Sequence, residues 1–422
     1  MKFYNTIIFS TLLFFTCGAG DVVRAQTGLI SPYSSSDFGV KMPYLNSRFA
    51  GMGGTVMGIS GTGSANPFNP ASYRLGVDTM SVAFHVGLNL GLVNLKQEVN
   101  GSVVKNQGTT GGLSNLEFYF PVFKWWKMGV FLLPMTEIAY ISSSFRDRDT
   151  AHIGSTQLIH TGDGGLNRFG WGNALGWGPV SVGFNVNYIF GHKKELDRLT
   201  FLTDTLAIYA SETYYLRETS YNGLGIDAGI QYVQELNKNG RLTIGASYSM
   251  SAFLKSKCAS IITAEGMAGS STYRDTVKLF ADKIENEKYP DVLRAGLSYE
   301  QYGKFLVGAD FSCSWRNEHS TTYRVSLGME MLPDLRSNFW MRRLSYRIGA
   351  NWQTYDYYYR VNGFGVSAGV GIPIRRSRSN IYIFGEYSRM GSLKQGQIEQ
   401  NTGRIGVSFS SVEVWFVKRK YD

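Results

Sequence analysis

The sequence predicts an all-β protein, a fourteen-stranded antiparallel transmembrane β-barrel with an N-terminal hatch, or plug, in its lumen. Three observations lead to this prediction. Apolar residues alternate with small or polar ones along many segments, the gaps between segments alternate in length, and a glycine-rich stretch precedes the first segment. Glycine accounts for 49 of the 422 residues, whereas an average usage of ~7% would give about 30.

The first residues have the pattern of a signal peptide. Lys2 supplies a positive charge, residues 7–15 form an apolar run, and Ala25 ends a small-residue cleavage site before Gln26. A lipoprotein cut before Cys17 is the alternative, although the bulky residues in front of that cysteine disfavour it. We therefore expect an exported protein in which residues 1–25 are removed.

The alternation along the strands is typical of a barrel in lipid. Along residues 180–190, one face carries valine, phenylalanine and tyrosine, and the other carries serine, glycine and asparagine with one isoleucine. A soluble sandwich would expose charged residues instead. Lipid contact also requires every backbone group to be paired, and only a helix or a closed barrel achieves this. We therefore assign residues 79–422 to a transmembrane barrel.

The gaps between the predicted strands alternate between tight and long. Turns of a few residues at 124–125, 178 and 236–240 alternate with the long gaps 96–112, 146–165, 192–221 and 256–290. Short turns on one side and long loops on the other are typical of bacterial outer-membrane barrels, whose short side is periplasmic. An even number of strands predicts that both chain ends lie on that side.

The plug is predicted in residues 26–78, because the apolar residues of this segment disfavour a disordered leader. Glycine permits positive φ angles and close approach to a wall, and proline restricts the residue before it to an extended or turn conformation. The residues expected to shape the plug are Gly51, Gly53, Gly54, Asn66, Pro67, Asn69, Pro70 and Ala71.

Two stretches of the plug carry a family resemblance. "RFAGMGGT" at 48–55 and "SANPFNPAS" at 64–72 resemble the hatch of the FadL-type family, which includes fatty acid and hydrocarbon transporters and PorV-like secretion subunits of Bacteroidota. Residues 404–422 resemble barrel-closing strands of Bacteroidota members, with Trp415 and Phe416 at the membrane interface. The resemblance implies an outer-membrane barrel that passively transports small hydrophobic molecules.

The third predicted strand contains Pro134. A proline inside a strand removes a hydrogen-bond donor and marks a bulge or an edge. In FadL-type transporters the third strand has an inward kink that opens a lateral exit into the bilayer, so the resemblance implies a lateral gate at Pro134. An ordinary bulge without a gate is the alternative.

Charged residues on the predicted inner face favour a second function. They are His85, Asp227, Arg294, Asp310, Arg324, Glu330, Arg347, Glu386 and Arg404. Buried charges must be paired, so we expect a braced lumen rather than an apolar tunnel. The alternative is a non-catalytic scaffold or partner subunit of an outer-membrane secretion, assembly or surface-display complex. Its loops 192–221 and 256–290 would bind outer-membrane proteins or surface lipoproteins.

Other chemistry is sparse in the sequence. The histidines and cysteines lack the spacing of a catalytic or metal site, so we predict no enzyme activity and no cofactor. The net charge of +10 is scattered and does not indicate nucleic-acid binding. Cys258 and Cys313 could form a disulfide or remain separate thiols. Three Asp-Thr-apolar motifs resemble the O-glycosylation sequon of Bacteroidota, and their acceptors are Thr150, Thr205 and Thr276.

Overall fold

The computed structural model describes most of the chain from residue 31 to residue 415. The described ranges are 31–42, 46–61, 63–99, 101–146, 155–201, 212–237, 239–268, 271–316, 321–356, 360–374 and 378–415. The predicted signal peptide, Thr150, Thr205 and Phe416 lie outside them.

The described residues form short helices in the plug and long strands in the wall. The helices are α1 (Ser47–Ala50) and α2 (Tyr73–Gly76), and single 3-10 turns span Pro32–Ser35, Pro70–Ser72, Trp340–Arg343 and Leu393–Gln395. The strands are β1 (Val40–Lys41), β2 (Ser81–Val99), β3 (Ser102–Pro121), β4 (Trp126–Pro134), β5 (Thr136–Arg146), β6 (Thr156–Trp177), β7 (Val180–Phe201), β8 (Thr213–Asn237), β9 (Gly240–Ser249), β10 (Phe253–Ala268), β11 (Ser271–Lys288), β12 (Asp291–Gln301), β13 (Phe305–Trp315), β14 (Thr321–Met331), β15 (Ser345–Asp356), β16 (Arg360–Pro373), β17 (Asn380–Met390) and β18 (Glu399–Val414).

The strands close into a barrel. Each strand is antiparallel to its neighbours, and β18 pairs with β2 from Glu399 opposite Lys96 to Val414 opposite Ser81. β1 belongs to the plug. β4 with β5, β9 with β10, and β11 with β12 each form one interrupted strand, so the wall contains fourteen. The predicted fourteen-stranded antiparallel barrel is confirmed. Neither helix in the described ranges is long and apolar enough to cross a bilayer.

The outer surface of the wall is apolar. Large apolar side chains stand exposed on the outward faces of neighbouring strands, among them Leu88, Leu90, Phe184, Val186, Ile226, Val307, Leu327, Val366, Ile405 and Val407. An exposed apolar surface that runs around a whole barrel needs lipid to cover it. We call this surface the lipid belt. The inward positions between these residues are buried and mostly polar, as the alternation predicts.

The long gaps of the sequence are mostly strand. β7 continues to Phe201 and β8 begins at Thr213, while β10 and β11 form a hairpin across most of the predicted loop 256–290. Thr276, predicted in a loop, pairs with Thr263 inside that hairpin. These extensions carry charged side chains on both faces, as in Lys193-Lys194, so they lack the apolar face by which the membrane strands were recognised.

The two ends of the barrel differ. The end with these extended hairpins is called the hairpin end, and the opposite end, with connections such as 122–125 and 178–179, is called the turn end. β2 starts at the turn end and β18 finishes there, followed by the exposed Trp415, whose backbone N–H donates to the Met80 carbonyl at 3.1 Å.

Candidate functional site

The plug runs through the lumen from one end of the barrel to the other. Residues 31–42, the upper plug, begin at the hairpin end, where the Tyr33 hydroxyl donates to the Ile398 carbonyl at 2.7 Å. Residues 46–78, the lower plug, reach the turn end, where Arg74 donates to the Gly178 carbonyl at 2.9 Å. An even number of strands places the residues next to β2 at the same end of the barrel as the end of β18. It does not place Ser31, the first described residue, which lies at the hairpin end.

The upper plug adds to the edge of β5. Val40 pairs with Glu137 in a short antiparallel ladder. The Ser31 backbone N–H donates to the Ala139 carbonyl at 3.0 Å, and the Ser34 hydroxyl donates to the same carbonyl at 2.9 Å. Backbone groups that a neighbouring strand would satisfy in a regular wall are thus paired with the plug.

An aromatic anchor fixes the middle of the upper plug. Phe38 is buried against Leu166, Ile189, Tyr221 and Leu254 on the inner wall. Its ring centroid lies 5.4 Å from that of Tyr221 in an edge-on arrangement. This contact ties the upper plug to β6, β7, β8 and β10.

Glycines bring the lower plug into direct contact with the wall. Gly53 has a φ of +69°, and a Cβ on it would lie 2.7 Å from the Ala350 carbonyl oxygen. Gly51 lies against Gly369, and Gly54 also has a positive φ. A side chain at Gly51 or Gly53 would push the plug away from the wall, and at Gly53 the positive φ favours glycine as well.

The two Asn-Pro pairs build a compact turn beneath these glycines. The backbone N–H of Asn69 donates to the Asn66 side chain at 2.9 Å, and the Asn69 side chain accepts from the Ala71 N–H at 3.2 Å. The Pro67 carbonyl accepts from the Asn185 amide at 2.9 Å. Pro70 lies against Gly183 and Gly229 of β7 and β8. Every polar side chain named here is buried and bonded.

A buried ion triad joins the lower plug to β14 and β15. Glu330 accepts from Arg48 of the plug at 3.0 Å and from Arg347 of the wall at 2.5 Å. All three side chains are at least about nine-tenths buried. The Arg347 guanidinium also lies 4.6 Å from the centroid of the Tyr382 ring. Removal of the carboxylate would leave two buried cations without their partner.

Asp310 and Arg324 hold the plug backbone. One Asp310 oxygen accepts from the Val56 and Met57 N–H groups, at 2.5 and 2.9 Å. Arg324 donates to the Gly53 carbonyl at 2.8 Å. The carboxylate thus binds two consecutive N–H groups of the glycine-rich turn, and the guanidinium binds one of its carbonyls. Both are charge-assisted hydrogen bonds, which are stronger than neutral ones.

Asp227 is the centre of a third polar group on the wall. It accepts from Arg168 at 3.4 Å and from the amides of Asn185 and Asn187 at 3.2 and 2.9 Å. The Arg168 guanidinium stands 5.3 Å from the centroid of Phe68, a residue of the plug. The Arg168 guanidinium therefore forms an ion pair with the wall and a cation–π contact with the plug.

The remaining predicted lumen residues are more dispersed. Arg294 donates to Ser249 at 2.9 Å, and Arg404 donates to Glu386 at 3.4 Å. His85 is buried beside the Tyr119 ring. All nine predicted residues thus lie on the inner face, and Arg294 stands beside the Asp227 group, because its guanidinium lies 4.9 Å from the centroid of the same Phe68 ring.

Sequence reasoning missed several partners of these groups. Arg48 and Arg168 were not singled out, and neither was the Arg241–Glu300 pair at 2.6 Å, whose guanidinium also donates to the Ser60 carbonyl at 2.7 Å. Arg48 stands in the plug, where no alternation exists to assign it a face. The charged members on strands do lie at alternation positions of the inner face.

Cavities remain between the plug and the wall: one of about 760 Å³ at the hairpin end beside Pro32, one of about 420 Å³ between Thr110 and Glu137, and a smaller one beside the lower plug. The volume of this smaller cavity is about 160 Å³. Phe68 and Leu133 form part of its lining, and Arg168, Asp227 and Arg294 bring charge to it. An apolar cavity of similar size, ~150 Å³, can hold benzene, but the lining of this one is mixed, because several charged side chains stand among its apolar ones.

The wall is interrupted beside this cavity. β4 ends at Pro134 and β5 starts at Thr136, and β3 pairs with β4 only over Leu116–Pro121. In the described strands, no ladder joins β5 to the upper half of β3, and we call this gap the seam. Thr110 bridges it by donating to the Glu137 carboxylate at 2.9 Å.

The structure also places the two predicted cysteines and one predicted glycosylation residue. Cys258 and Cys313 are free thiols, so the alternative without a disulfide is the one observed. Within the described ranges, no group of three His, Cys, Asp or Glu side chains could hold a metal ion. Thr276 is exposed on β11.

Comparison with known proteins supports the fold and gives the family. A family model described as BamG matches residues 5–422. The structure is similar to the CymD monoaromatic hydrocarbon channel, with a TM-score of 0.58 and 14% identity over 90% of this chain and 100% of that one. It is also similar to the Pseudomonas putida toluene transporter TodX (TM-score 0.56, 15% identity, 89% and 99% covered). A Pseudomonas aeruginosa FadL homologue is similar too (TM-score 0.56, 11% identity, 89% and 99% covered).

These matches differ in what they establish. No curated sequence matches the chain significantly. Identities of 11–15% to the channels establish a shared FadL-type fold and nothing about substrate. The family match extends over almost the whole chain, including the plug and the closing strand. The chain therefore belongs to the BamG family.

Proposed function

We propose that this protein is an outer-membrane barrel that acts as a non-catalytic scaffold subunit of a protein secretion, assembly or surface-display complex. The observation that carries the proposal is a lumen occupied by the plug and braced by buried ion pairs, with Glu330 between Arg48 and Arg347. A conduit for apolar molecules needs an apolar path, because a charged lining binds water and must be desolvated before an apolar solute can pass.

Family membership is in keeping with this proposal. The chain matches the BamG family along its length, whereas its likeness to hydrocarbon channels extends only to the fold. A Bacteroidota origin and kinship with PorV-like secretion subunits, which the two ends of the chain suggest, belong to the same proposal.

The hairpin end is the proposed contact surface for partners. Its strands rise beyond the lipid belt and carry exposed ion pairs such as Lys257–Asp282 and Lys194–Glu218. Strands with charged faces in water suit a polar, exchangeable interface better than a second membrane contact. We place outer-membrane proteins or surface lipoproteins here as partners.

Affinity purification from the native outer membrane tests the proposal. The tagged protein is extracted in a gentle detergent, and both proteins and lipids are identified by mass spectrometry. We expect stoichiometric outer-membrane partners. Charge reversal by Lys257→Glu and Lys283→Glu should reduce their recovery, whereas the matched turn-end variant, Lys124→Glu with Lys304→Glu, should retain it. A solitary barrel that carries a bound apolar ligand would contradict the scaffold.

The second candidate is a passive channel for small hydrophobic molecules with a lateral gate at Pro134. The observation in its favour is the seam, where the strand break and the small cavity lie side by side. In this account the upper plug would leave the β5 edge to admit a solute. A cross-link across the seam, described below, separates the two candidates.

A further inference from the structure

One connection at the turn end differs from the rest. β14 and β15 are joined by residues 332–344, which we call the rim loop, whereas the connections 122–125, 178–179 and 302–304 are tight turns. The rim loop interrupts the pattern of short turns without entering the lumen. Its size therefore needs an explanation outside the barrel.

The rim loop has a defined conformation. The Asp334 N–H donates to the Arg342 carbonyl at 2.8 Å, and the Arg343 guanidinium donates to the Ser337 carbonyl at 2.7 Å. A 3-10 turn spans Trp340–Arg343. Hydrogen bonds that cross the loop at two points hold its backbone in one conformation.

The loop leans over the outer face of the wall. The Tyr346 hydroxyl donates to the Met341 carbonyl at 3.1 Å. Tyr346 shares its face of β15 with Ile348 and Trp352, which are exposed members of the lipid belt. The loop is thus continuous with the surface that lipid covers.

The loop presents apolar side chains beyond the belt. Leu335 and Trp340 are each 64% exposed, and Phe339 and Met341 are 55% and 44% exposed. Four large apolar side chains in one short loop are costly in water. Tryptophan in particular is enriched at the level of lipid headgroups, where its ring contacts the apolar boundary and its N–H contacts water.

Positive charge accompanies these side chains. Arg336, Arg342 and Arg343 face one acid in the loop, Asp334. Within the described residues, none of the three guanidinium groups forms an ion pair. Planar guanidinium groups bind phosphate oxygens in a bidentate manner, and basic residues beside an apolar surface attract anionic lipid.

We propose that the rim loop is a binding site for anionic phospholipid headgroups in the leaflet at the turn end. Leu335, Phe339 and Trp340 enter the boundary between headgroups and acyl chains, and the arginines bind the phosphates. The loop thereby fixes the height and tilt of the barrel on the side of β14 and β15. This inference does not depend on whether the barrel is a scaffold or a channel.

A fluorescent label tests where the loop lies. Asn338→Cys is introduced in full-length protein that also carries Cys17→Ser, Cys258→Ser and Cys313→Ser, and the protein is inserted in phosphatidylglycerol nanodiscs. Lys304→Cys, on a tight turn of the same end, is the matched control. We expect an environment-sensitive label at 338 to be quenched by lipid with a shallow nitroxide, and the label at 304 much less. Equal, water-like emission at both positions would overturn the proposal.

Retention of lipid tests the arginines. Native mass spectrometry compares phosphatidylglycerol bound to the parent, to Arg336→Gln with Arg342→Gln, and to the control pair Lys124→Gln with Lys304→Gln. Each arginine should contribute about fivefold to lipid affinity, so the loop variant should lose most of the bound lipid. Unchanged retention overturns the proposal. A label that is water-exposed in nanodiscs but protected in native membranes also overturns it, and assigns the loop to a protein partner.

Discussion

The lower and upper parts of the plug are held to the barrel in different ways. The lower plug is fixed by buried side chains, through the Glu330 triad and the Asp310 carboxylate. The upper plug is fixed through its backbone on the edge of β5, by the ring of Phe38, and by partly exposed side-chain contacts such as the Asp37–Arg316 ion pair. One plug therefore combines a part held by buried ionic contacts with a part held by backbone pairing and partly exposed contacts.

The contrast follows from what each part contacts. The lower plug lies against a continuous part of the wall, where inward side chains such as Glu330 and Asp310 bind individual groups of the plug. The upper plug lies beside a wall that is broken after Pro134, where the backbone groups of β5 also need partners, and its ion pair with Arg316 is partly exposed to water. Breaking the first kind of contact should cost far more stability than breaking the second.

The largest effect is expected at the ion triad. Glu330→Gln leaves Arg48 and Arg347 buried without a counter-charge, which costs about 3–5 kcal/mol. Urea unfolding of the refolded barrel, followed by tryptophan fluorescence, measures the loss. Glu218→Gln, which breaks the exposed pair with Lys194, should cost less than about 1 kcal/mol. Equal losses would show that the triad does not secure the plug.

A smaller effect is expected from a methyl group between the plug and the wall. Gly53→Ala places a Cβ against Ala350, and overpacking of this kind costs about 1–3 kcal/mol. Gly63→Ala is the matched control, because Gly63 also has a positive φ but no atom lies within 4 Å of its added Cβ. The same urea titration gives both values. A Gly53 variant no less stable than the control would place the plug further from the wall.

The smallest effect on stability is expected at the seam. Thr110→Val removes the hydrogen bond to Glu137 and should cost about 1 kcal/mol. Serine at the same position, which keeps the hydroxyl, serves as the control in the urea titration. A loss as large as that of Glu330→Gln would mean that the seam is as firmly closed as the lower plug.

A cross-link then sharpens the functional comparison. Thr110→Cys and Glu137→Cys, without Cys258 and Cys313, can be joined by a short thiol reagent across the seam. The scaffold account predicts that the recovery of partners is unchanged. Loss of uptake of an apolar solute by cells with the cross-linked protein, restored by a reducible reagent and dithiothreitol, would favour the channel.

The sequence predicted the wall better than the contents of the barrel. Alternation assigned Asp227, Glu330 and Arg347 to the inner face, because the period of a strand leaves only two faces to choose from. The pairing of Glu330 with Arg48 could not be predicted, since the plug is irregular and its register against the wall depends on three-dimensional packing. The glycines indicated close approach but not the strand that is approached.

The hairpins illustrate a second limit. Around Lys193 and Lys194 the strand leaves lipid, and both faces become polar. When both faces are polar, apolar and polar residues no longer alternate. The sequence therefore predicts loops where the structure has strand extensions. In the rim loop the side chains are apolar but the backbone is irregular, so no alternation predicts which of them are exposed.

Ion conductance across a planar bilayer tests the central claim most directly, namely that the plug and its ion pairs fill the lumen. We expect no resolvable single-channel conductance for the wild-type protein under an applied voltage. Glu330→Gln, in which the lower plug is loosened, should show intermittent openings. A steady conductance of the wild-type barrel would contradict this claim, because it would show a continuous aqueous path past the Glu330 triad.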